Sequence, residues 1–147
     1  MGNLFHSSAS YNDSWILGNH YEGNSIDDLK RSQTIKSFFR FTYRYHMPPL
    51  LPSNITSDCG WGCMLRAAQM IMAYTLKCHY HLDINDLTVA ASHLSTSDEY
   101  RNIVRWFIDY PGFPHLYSLH RMIECGLKYS MQPGEWYGPS TVSYVLR

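Results

Sequence analysis

The feature that most constrains the fold is an apolar, helix-forming stretch that begins abruptly at Cys63. The sequence over residues 58–76 reads DCGWGCMLRAAQMIMAYTL, with two glycines around a tryptophan directly before that cysteine. From Cys63 onwards, the apolar run is interrupted only by Arg66, Gln69, Thr75 and Lys77. This pattern predicts a helix from Cys63 to about Tyr80, and a helix that is apolar on nearly every side is expected to be buried. It is too short and too polar to span a bilayer.

The part of the chain before this helix is expected to mix short extended pieces with one helix. Trp15–Gly18 is a brief apolar burst closed by a glycine, which predicts a short strand ending in a turn. A helix is expected to follow Ser25, which can cap it, and to continue to Phe38. The β-prone segment Phe38–Tyr45 is predicted to be extended, and the proline-rich residues 48–57 to form a loop.

Three further helices are predicted after the cysteine helix. One covers residues 95–110 and starts near Asp98, where acidic side chains favour a helix N-terminus. Another runs from Ser118 to near Gly126, and the last opens at Gly138-Pro139 and continues from Val142 towards Arg147.

Composition excludes several classes of protein. The 147 residues suffice for one domain, and 45% hydrophobic against 16% charged residues is typical of a globular chain. Twelve basic and twelve acidic residues cancel, so no electrostatic footprint for nucleic acid is present. The N-terminus has neither a basic leader nor a long apolar segment, so we expect a cytoplasmic protein whose four cysteines are thiols and whose residues 1–14 are flexible.

The position of Cys63 favours nucleophilic chemistry. A thiolate is the reactive form of cysteine, and a helix N-terminus offers unpaired N–H groups and a partial positive charge that favour it. The same N–H groups can stabilise an oxyanion. Gly60 and Gly62 allow a sharp turn and a close approach of substrate, and Trp61 can pack to fix the turn.

The cysteines have two other interpretations, a packing role and a zinc site. A buried cysteine is often only a small packing residue. A zinc site could use Cys59 and Cys63 with the cluster Cys78, His79 and His81, but this spacing is not that of a zinc finger, and no metal or other cofactor is expected.

A cysteine nucleophile needs a base, and no histidine of the chain is a persuasive one. His79 and His81 are predicted at the far end of the helix, about 25 Å from Cys63 at 1.5 Å per residue. His120 is expected to be structural. In the papain pattern the histidine lies roughly 130–150 residues after the cysteine, which is beyond residue 147.

These residues resemble the autophagins, papain-like cysteine proteases that process the ubiquitin-like modifier of autophagy. TSDCGWGCMLR followed by QM and an apolar helix is similar to the active-site segment of that family. Four further blocks occur in the family's order: WILG with Tyr21, FTYR (Phe41–Arg44), SLHRM (Ser118–Met122) and EWYGPSTVSYVL (Glu135–Leu146).

The resemblance implies roles for individual residues. Cys63 matches the nucleophile, and Tyr43 matches the tyrosine whose hydroxyl helps to form the oxyanion hole. Trp136 matches the tryptophan over the entrance to the active site. With Trp136, the GWG residues Gly60, Trp61 and Gly62 are expected to contact the substrate tail.

The resemblance also implies a fold and a function. The expected fold class is α+β, an incomplete papain-like fold: residues 15–147 form the N-terminal part of a peptidase domain that is truncated at its C-terminal end. The expected reaction is cleavage after the C-terminal glycine of the modifier, both in its precursor and in its phosphatidylethanolamine conjugate, with transient membrane contact through the lipid. The family's Asp and His are absent, so the chain alone is expected to be nearly inactive. The alternatives are a non-catalytic form that binds the modifier and a small zinc protein.

Overall fold

The computed structural model describes residues 13–23, 25–80, 82 and 98–147. The chain divides into two compact units, residues 1–38 and residues 39–147. Residues 1–12 of the segment predicted to be flexible lie outside the described residues. His81 also lies outside them, as do residues 95–97 at the start of the third predicted helix.

The described part of the first unit, residues 13–23 and 25–38, forms a hairpin and one helix. Strands β1 (Ser14–Ile16) and β2 (Asn19–Tyr21) pair antiparallel with Ile16 opposite Asn19. The two residues between them, Leu17 and Gly18, have φ of 48° and 81°, as the tight turns of hairpins require. The predicted strand is therefore confirmed but shifted, since Leu17 and Gly18 form the turn, and β2 was not predicted.

Helix α1 (Ser25–Lys36) follows with Asp27 and Asp28 in its first turn. Ser25 is the first helical residue rather than a cap before the helix, and the helix ends two residues before Phe38. The Tyr21 hydroxyl hydrogen-bonds the Thr34 hydroxyl at 3.0 Å, which joins β2 to α1.

The described residues of the second unit form four helices. They are α2 (Cys63–His79), α3 (Asp98–Trp106), α4 (Leu119–Leu127) and α5 (Pro139–Leu146). The Ser118 hydroxyl caps α4 by accepting a hydrogen bond from the Arg121 N–H at 3.2 Å. Pro139 opens α5, where its missing N–H costs nothing. All four predicted helices are present, and residues 39–50 and 54–58 contain no helix or strand.

Two apolar clusters hold this unit together. The larger places Leu65 and Ala68 of α2 against α4 and α5, with Met47 and Leu50 from the preceding loop. The smaller places Ala73 of α2 against Ile103 and Phe107. Helix α2 therefore contributes to both clusters.

The prediction that α2 is buried on all sides is wrong. Its buried residues are Leu65, Arg66, Ala68, Gln69, Ala73 and Lys77. Ile71 is 66% exposed, and Cys63 and Cys78 are exposed. Arg66 and Gln69 can lie on the buried face because groups elsewhere in the unit accept their hydrogen bonds.

The described elements are a mixture of α-helices and a two-stranded sheet, in agreement with the predicted α+β class. None of the described helices is long and apolar enough to cross a membrane.

Candidate active site

Cys63 is the first residue of α2 and its side chain is exposed. Gly62 precedes the helix with φ −80° and ψ 4°, and no side chain caps the helix. The first N–H groups of a helix have no intrahelical partner, so a helix start without a side-chain cap is suited to an anion. The thiol therefore stands where a developing oxyanion can be stabilised.

The turn before Cys63 is built on the backbone carbonyl of Asp58. This oxygen accepts hydrogen bonds from the N–H of Trp61 at 3.3 Å and of Gly62 at 2.9 Å. Gly60 has φ +86°, a conformation that L side chains rarely adopt. At Gly62, a Cβ atom would come within 2.7 Å of the Asp58 side chain. The two glycines are thus needed for different reasons, one for its backbone angle and one for the space it leaves.

Trp61 holds the same turn through its side chain. Its indole N–H donates a hydrogen bond to the Ser57 carbonyl at 3.1 Å, and the ring packs on the larger apolar cluster. This agrees with the expected packing of Trp61. Its proposed contact with substrate stays a prediction.

The Tyr43 hydroxyl lies beside the Cys63 thiol. Partial burial, the charge of Cys63 and a hydrogen bond with Cys63 raise the pKa of Tyr43, with smaller contributions from Cys59 and Asp58. A raised pKa keeps the phenol protonated, so it remains a hydrogen-bond donor. A donor at this place can stabilise negative charge that develops next to the sulfur.

Tyr45 makes a second pair of this kind, which the sequence did not indicate. A hydrogen bond with Cys59, followed by the charge of Cys59, raises the pKa of Tyr45. The alternation in FTYRY is the available signal, since residues two apart in an extended segment share a side.

Below the turn lies a buried ion network centred on Arg66. Its Nε donates to Asp58 Oδ2 at 2.6 Å, and its Nη1 donates to Asp109 Oδ2 at 2.7 Å and to Gln69 Oε1 at 2.9 Å. The Arg66 and Asp58 side chains are 3% and 0% exposed. Burial alone lowers the pKa of Arg66, but hydrogen bonds and charge interactions with the two aspartates raise it above its ordinary value. Arg66 is therefore a fixed cation between two carboxylates.

The sequence pattern did not predict this network, because Arg66 and Gln69 stand in it as interruptions of an apolar helix. Their spacing of three residues places them on one face of the helix, which is the signal that could have found them. Asp109 lies 43 residues from Arg66 along the chain, and no sequence pattern around it predicts this contact.

Trp136 is 59% exposed and directly precedes Tyr137, which is fully buried. The structure brings Cys63, Tyr43 and the turn Gly60–Gly62 together. Among the described residues, Trp136 has no hydrogen bond or ring contact with any of them, so its role at the entrance stays a prediction.

None of the histidines in the described ranges makes a hydrogen bond with Cys63. His79 ends α2, about 24 Å along the axis from Cys63. His115 Nδ1 contacts the Arg105 carbonyl at 2.8 Å, and His120 Nε2 donates to the Pro48 carbonyl at 2.9 Å. The contact of His120 agrees with the structural role predicted for it.

The separation of Cys63 and Cys78 argues against the zinc interpretation. They stand 15 residues apart near opposite ends of one helix, about 22 Å at 1.5 Å per residue. One zinc ion with ligands at about 2.3 Å cannot reach both.

Comparison with known proteins gives one family. The model of the peptidase C54 catalytic domain matches residues 29–147. The cysteine protease ATG4A of Gallus gallus is 36% identical over 133 residues, which are 90% of this chain and 33% of the relative. The cysteine protease ATG4B of Gallus gallus is 36% identical over 135 residues, or 90% of this chain and 32% of the relative.

A third relative extends the same result. The cysteine protease ATG4D of Xenopus laevis is 29% identical over 175 residues, which cover 90% of this chain and 36% of the relative. The chain thus spans about a third of the length of these curated relatives. Because the family model covers most of the sequence, including the Cys63 turn and all four helices of the second unit, the chain belongs to the peptidase C54 family of cysteine proteases.

Proposed function

We propose that the native protein is a papain-like thiol endopeptidase of autophagy. It cleaves after the C-terminal glycine of the ubiquitin-like autophagy modifier and releases the modifier from phosphatidylethanolamine. The observation that carries this proposal is the exposed thiol of Cys63 at a helix start without a side-chain cap, with the Tyr43 hydroxyl beside it. Family membership supports the reaction class.

In the proposed mechanism, the Cys63 thiolate attacks the carbonyl carbon of the substrate glycine and forms a tetrahedral intermediate. The Tyr43 hydroxyl donates a hydrogen bond to its oxyanion, together with N–H groups at the start of α2. The base first takes the proton of the Cys63 thiol, and the protonated base gives it to the departing amine as the C–N bond breaks. Water, deprotonated by the same base, then attacks the thioester, which releases the carboxylate and restores the thiol.

The base in this mechanism is proposed to come from outside residues 1–147. Two observations support this: the described histidines make no hydrogen bond with Cys63, and the chain spans about a third of the length of its relatives. Loss of the base in such an enzyme costs several orders of magnitude in rate. We therefore propose that residues 1–147 alone are nearly inactive.

Specificity for glycine is proposed to depend on the aromatic side chains around the turn. The Trp61 indole is held by the Ser57 carbonyl, and Trp136 directly precedes buried Tyr137. We propose that the two tryptophans line a narrow channel with Gly60 and Gly62. Such a channel admits only a tail without side chains. Most of the affinity then comes from the folded body of the modifier on a larger surface. We place the enzyme in the cytoplasm, with membrane contact only through its lipidated substrate.

The test uses the native protein at the length its transcript encodes, with a modifier that carries a reporter after its terminal glycine. Cys63→Ser is expected to abolish release of the reporter, whereas Cys78→Ser is expected to leave it unchanged. Cys78 is the matched control because it is an exposed cysteine on the same helix, at the end remote from the site.

Two results contradict the proposal. Cleavage that persists in Cys63→Ser rules out the nucleophile. Absence of cleavage by the native protein, together with retained binding of the modifier, favours the non-catalytic binding form instead. Replacement of the terminal glycine of the substrate by alanine is expected to block cleavage, which checks the channel separately.

A further inference from the structure

The backbone that carries Tyr43 is held in an unusual way. Residues 39–46 contain no helix or strand, and in the described part of the chain none of them takes part in a backbone–backbone hydrogen bond. The Arg44 N–H instead donates to Asp58 Oδ1 at 2.6 Å. Most of these residues are exposed, so the Asp58 carboxylate is the group that fixes the backbone next to Tyr43.

Asp58 binds both sides of the reaction centre. Its carboxylate holds the N–H of Arg44, the residue next to Tyr43. Its own carbonyl holds the N–H of Gly62, the residue next to Cys63. A single buried residue therefore connects the backbone beside the hydroxyl to the backbone beside the thiol.

The second carboxylate oxygen fixes the orientation of Asp58. Oδ2 accepts from Arg66 Nε at 2.6 Å, and Arg66 is held in turn by Asp109 and Gln69. Asp109 also accepts a hydrogen bond from the Leu119 N–H at 3.0 Å, so the chain of contacts ends on the start of α4. The carboxylate of Asp58 thus has a partner on each oxygen and little freedom to rotate.

We propose that Asp58 is a positioning residue that sets the Tyr43 hydroxyl against the Cys63 thiol, and that Arg66 keeps its carboxylate in place. This inference deepens the function proposed above and rests on it. Asp58 touches neither substrate nor the reacting atoms, and its effect on the reaction passes through Tyr43. A displacement of about 1 Å in such a group can cost about a hundredfold in rate.

A double-mutant cycle of Asp58→Asn and Tyr43→Phe in the native protein tests this. Asparagine keeps the size of the side chain but replaces one of the two accepting oxygens by an NH2 donor, so either the Arg44 N–H or the Arg66 Nε loses its acceptor. Each single variant is expected to lower kcat by about tenfold to a thousandfold with little change in KM, because both act on the oxyanion. The double variant is expected to match Tyr43→Phe alone.

Multiplicative losses in the double variant overturn the proposal, since Asp58 then acts without Tyr43. A fall in the amount of titratable active sites with kcat per site unchanged also overturns it, because that is a purely structural effect. Glu124→Gln is the control: it breaks an exposed ion pair with Arg121 at 2.6 Å and is expected to leave kcat unchanged.

A second pair of variants serves if Asp58→Asn does not fold. Arg44→Ala removes the side chain but keeps the N–H that Asp58 accepts, whereas Arg44→Pro removes both. The proposal requires kcat to fall at least tenfold further in Arg44→Pro than in Arg44→Ala. Equal values contradict it.

A readout without proteolysis separates this inference from the proposed function. The rate of Cys63 alkylation by iodoacetamide is followed against pH, with peptide mass spectrometry to distinguish Cys63 from Cys59 and Cys78. Asp58→Asn is expected to change this profile in the presence of Tyr43 and not in Tyr43→Phe. If the native protein does not cleave the modifier but this dependence holds, the proposed function fails and the positioning role stands. An Asp58→Asn profile identical to that of the wild type contradicts the positioning role.

Discussion

At the scale of single residues, Tyr137 is buried at a cost. Its ring lies so close to Gly126 that a Cβ atom there would come within 2.5 Å of the hydroxyl, and the side chain is 0% exposed. Among the described residues, the hydroxyl has no hydrogen-bond partner. A buried polar group without a partner costs about 1–3 kcal/mol. The ring therefore stabilises the packing of α4 near α5, while the hydroxyl opposes it.

Tyr137→Phe is expected to raise the free energy of unfolding by up to about 1–3 kcal/mol at neutral pH, because it removes only the hydroxyl. Burial, followed by the charge of Glu135, raises the pKa of Tyr137 to about 12. Between pH 10, the ordinary pKa of tyrosine, and pH 12 the unfolded chain releases this proton and the folded chain keeps it. The free energy of unfolding of the wild type therefore falls between pH 10 and pH 12 relative to that of Tyr137→Phe. Below pH 10 the difference between the two proteins does not change with pH.

Urea unfolding of both proteins from pH 7 to pH 11.5 measures this difference. Tyr129→Phe, at a residue that is 47% exposed, is the control and is expected to stay within about 0.5 kcal/mol of the wild type. A clear loss of stability in Tyr137→Phe at pH 7 means that the hydroxyl has a favourable partner.

At the scale of elements, the sequence predicted the helices of the second unit well. The start of α2 at Cys63 follows from the two glycines and the apolar run, and Ser118 and Pro139 mark the starts of α4 and α5. β2 was missed because Asn19 and His20 have no strand preference and are ordered by pairing with β1. The burial of Arg66 and Gln69 on α2 was not predicted. Their side chains hydrogen-bond to groups 8 to 48 residues away along the chain, and a local sequence pattern cannot show such distant partners.

The turn that leads into α2 allows a test in which two glycines respond in opposite order. At Gly60 the constraint is φ +86°, with nothing within 4 Å of a Cβ atom. Asparagine tolerates this conformation better than alanine, so Gly60→Asn is expected to destabilise less than Gly60→Ala. At Gly62 the backbone is ordinary and the constraint is the 2.7 Å approach to Asp58. Gly62→Asn is therefore expected to destabilise more than Gly62→Ala, by about 1–3 kcal/mol.

Thermal or urea unfolding of the four variants gives the order directly. The same order of Asn and Ala at both positions contradicts this account of the turn. Since both glycines lie at the proposed site, stability and not activity is the measured quantity.

At the scale of the whole second unit, one cation joins segments that are distant in sequence. Arg66 links the turn before α2 to Asp109, and Asp109 holds the start of α4 through Leu119. Arg44, with its Nε 3.9 Å from Asp109 Oδ2, supplies a second positive charge for the two carboxylates. The candidate site is thus assembled on a charge-balanced network.

Arg66→Met tests how much this network contributes. The thioether fills a similar volume but leaves Asp58 buried without its cation, so the free energy of unfolding is expected to fall by about 3–5 kcal/mol. Arg66→Lys keeps the charge, but a single ammonium lacks the planar fork that contacts both aspartates, so an intermediate loss is expected.

The matched control is Arg121→Met, whose contact with Glu124 has the same length of 2.6 Å but is exposed on both sides. There the loss is expected to be below about 1 kcal/mol, because solvent screens the pair. Equal losses at Arg66 and Arg121 in urea unfolding contradict the network, and a loss confined to Arg66 shows that burial, rather than distance between the charges, decides what the ion pair contributes.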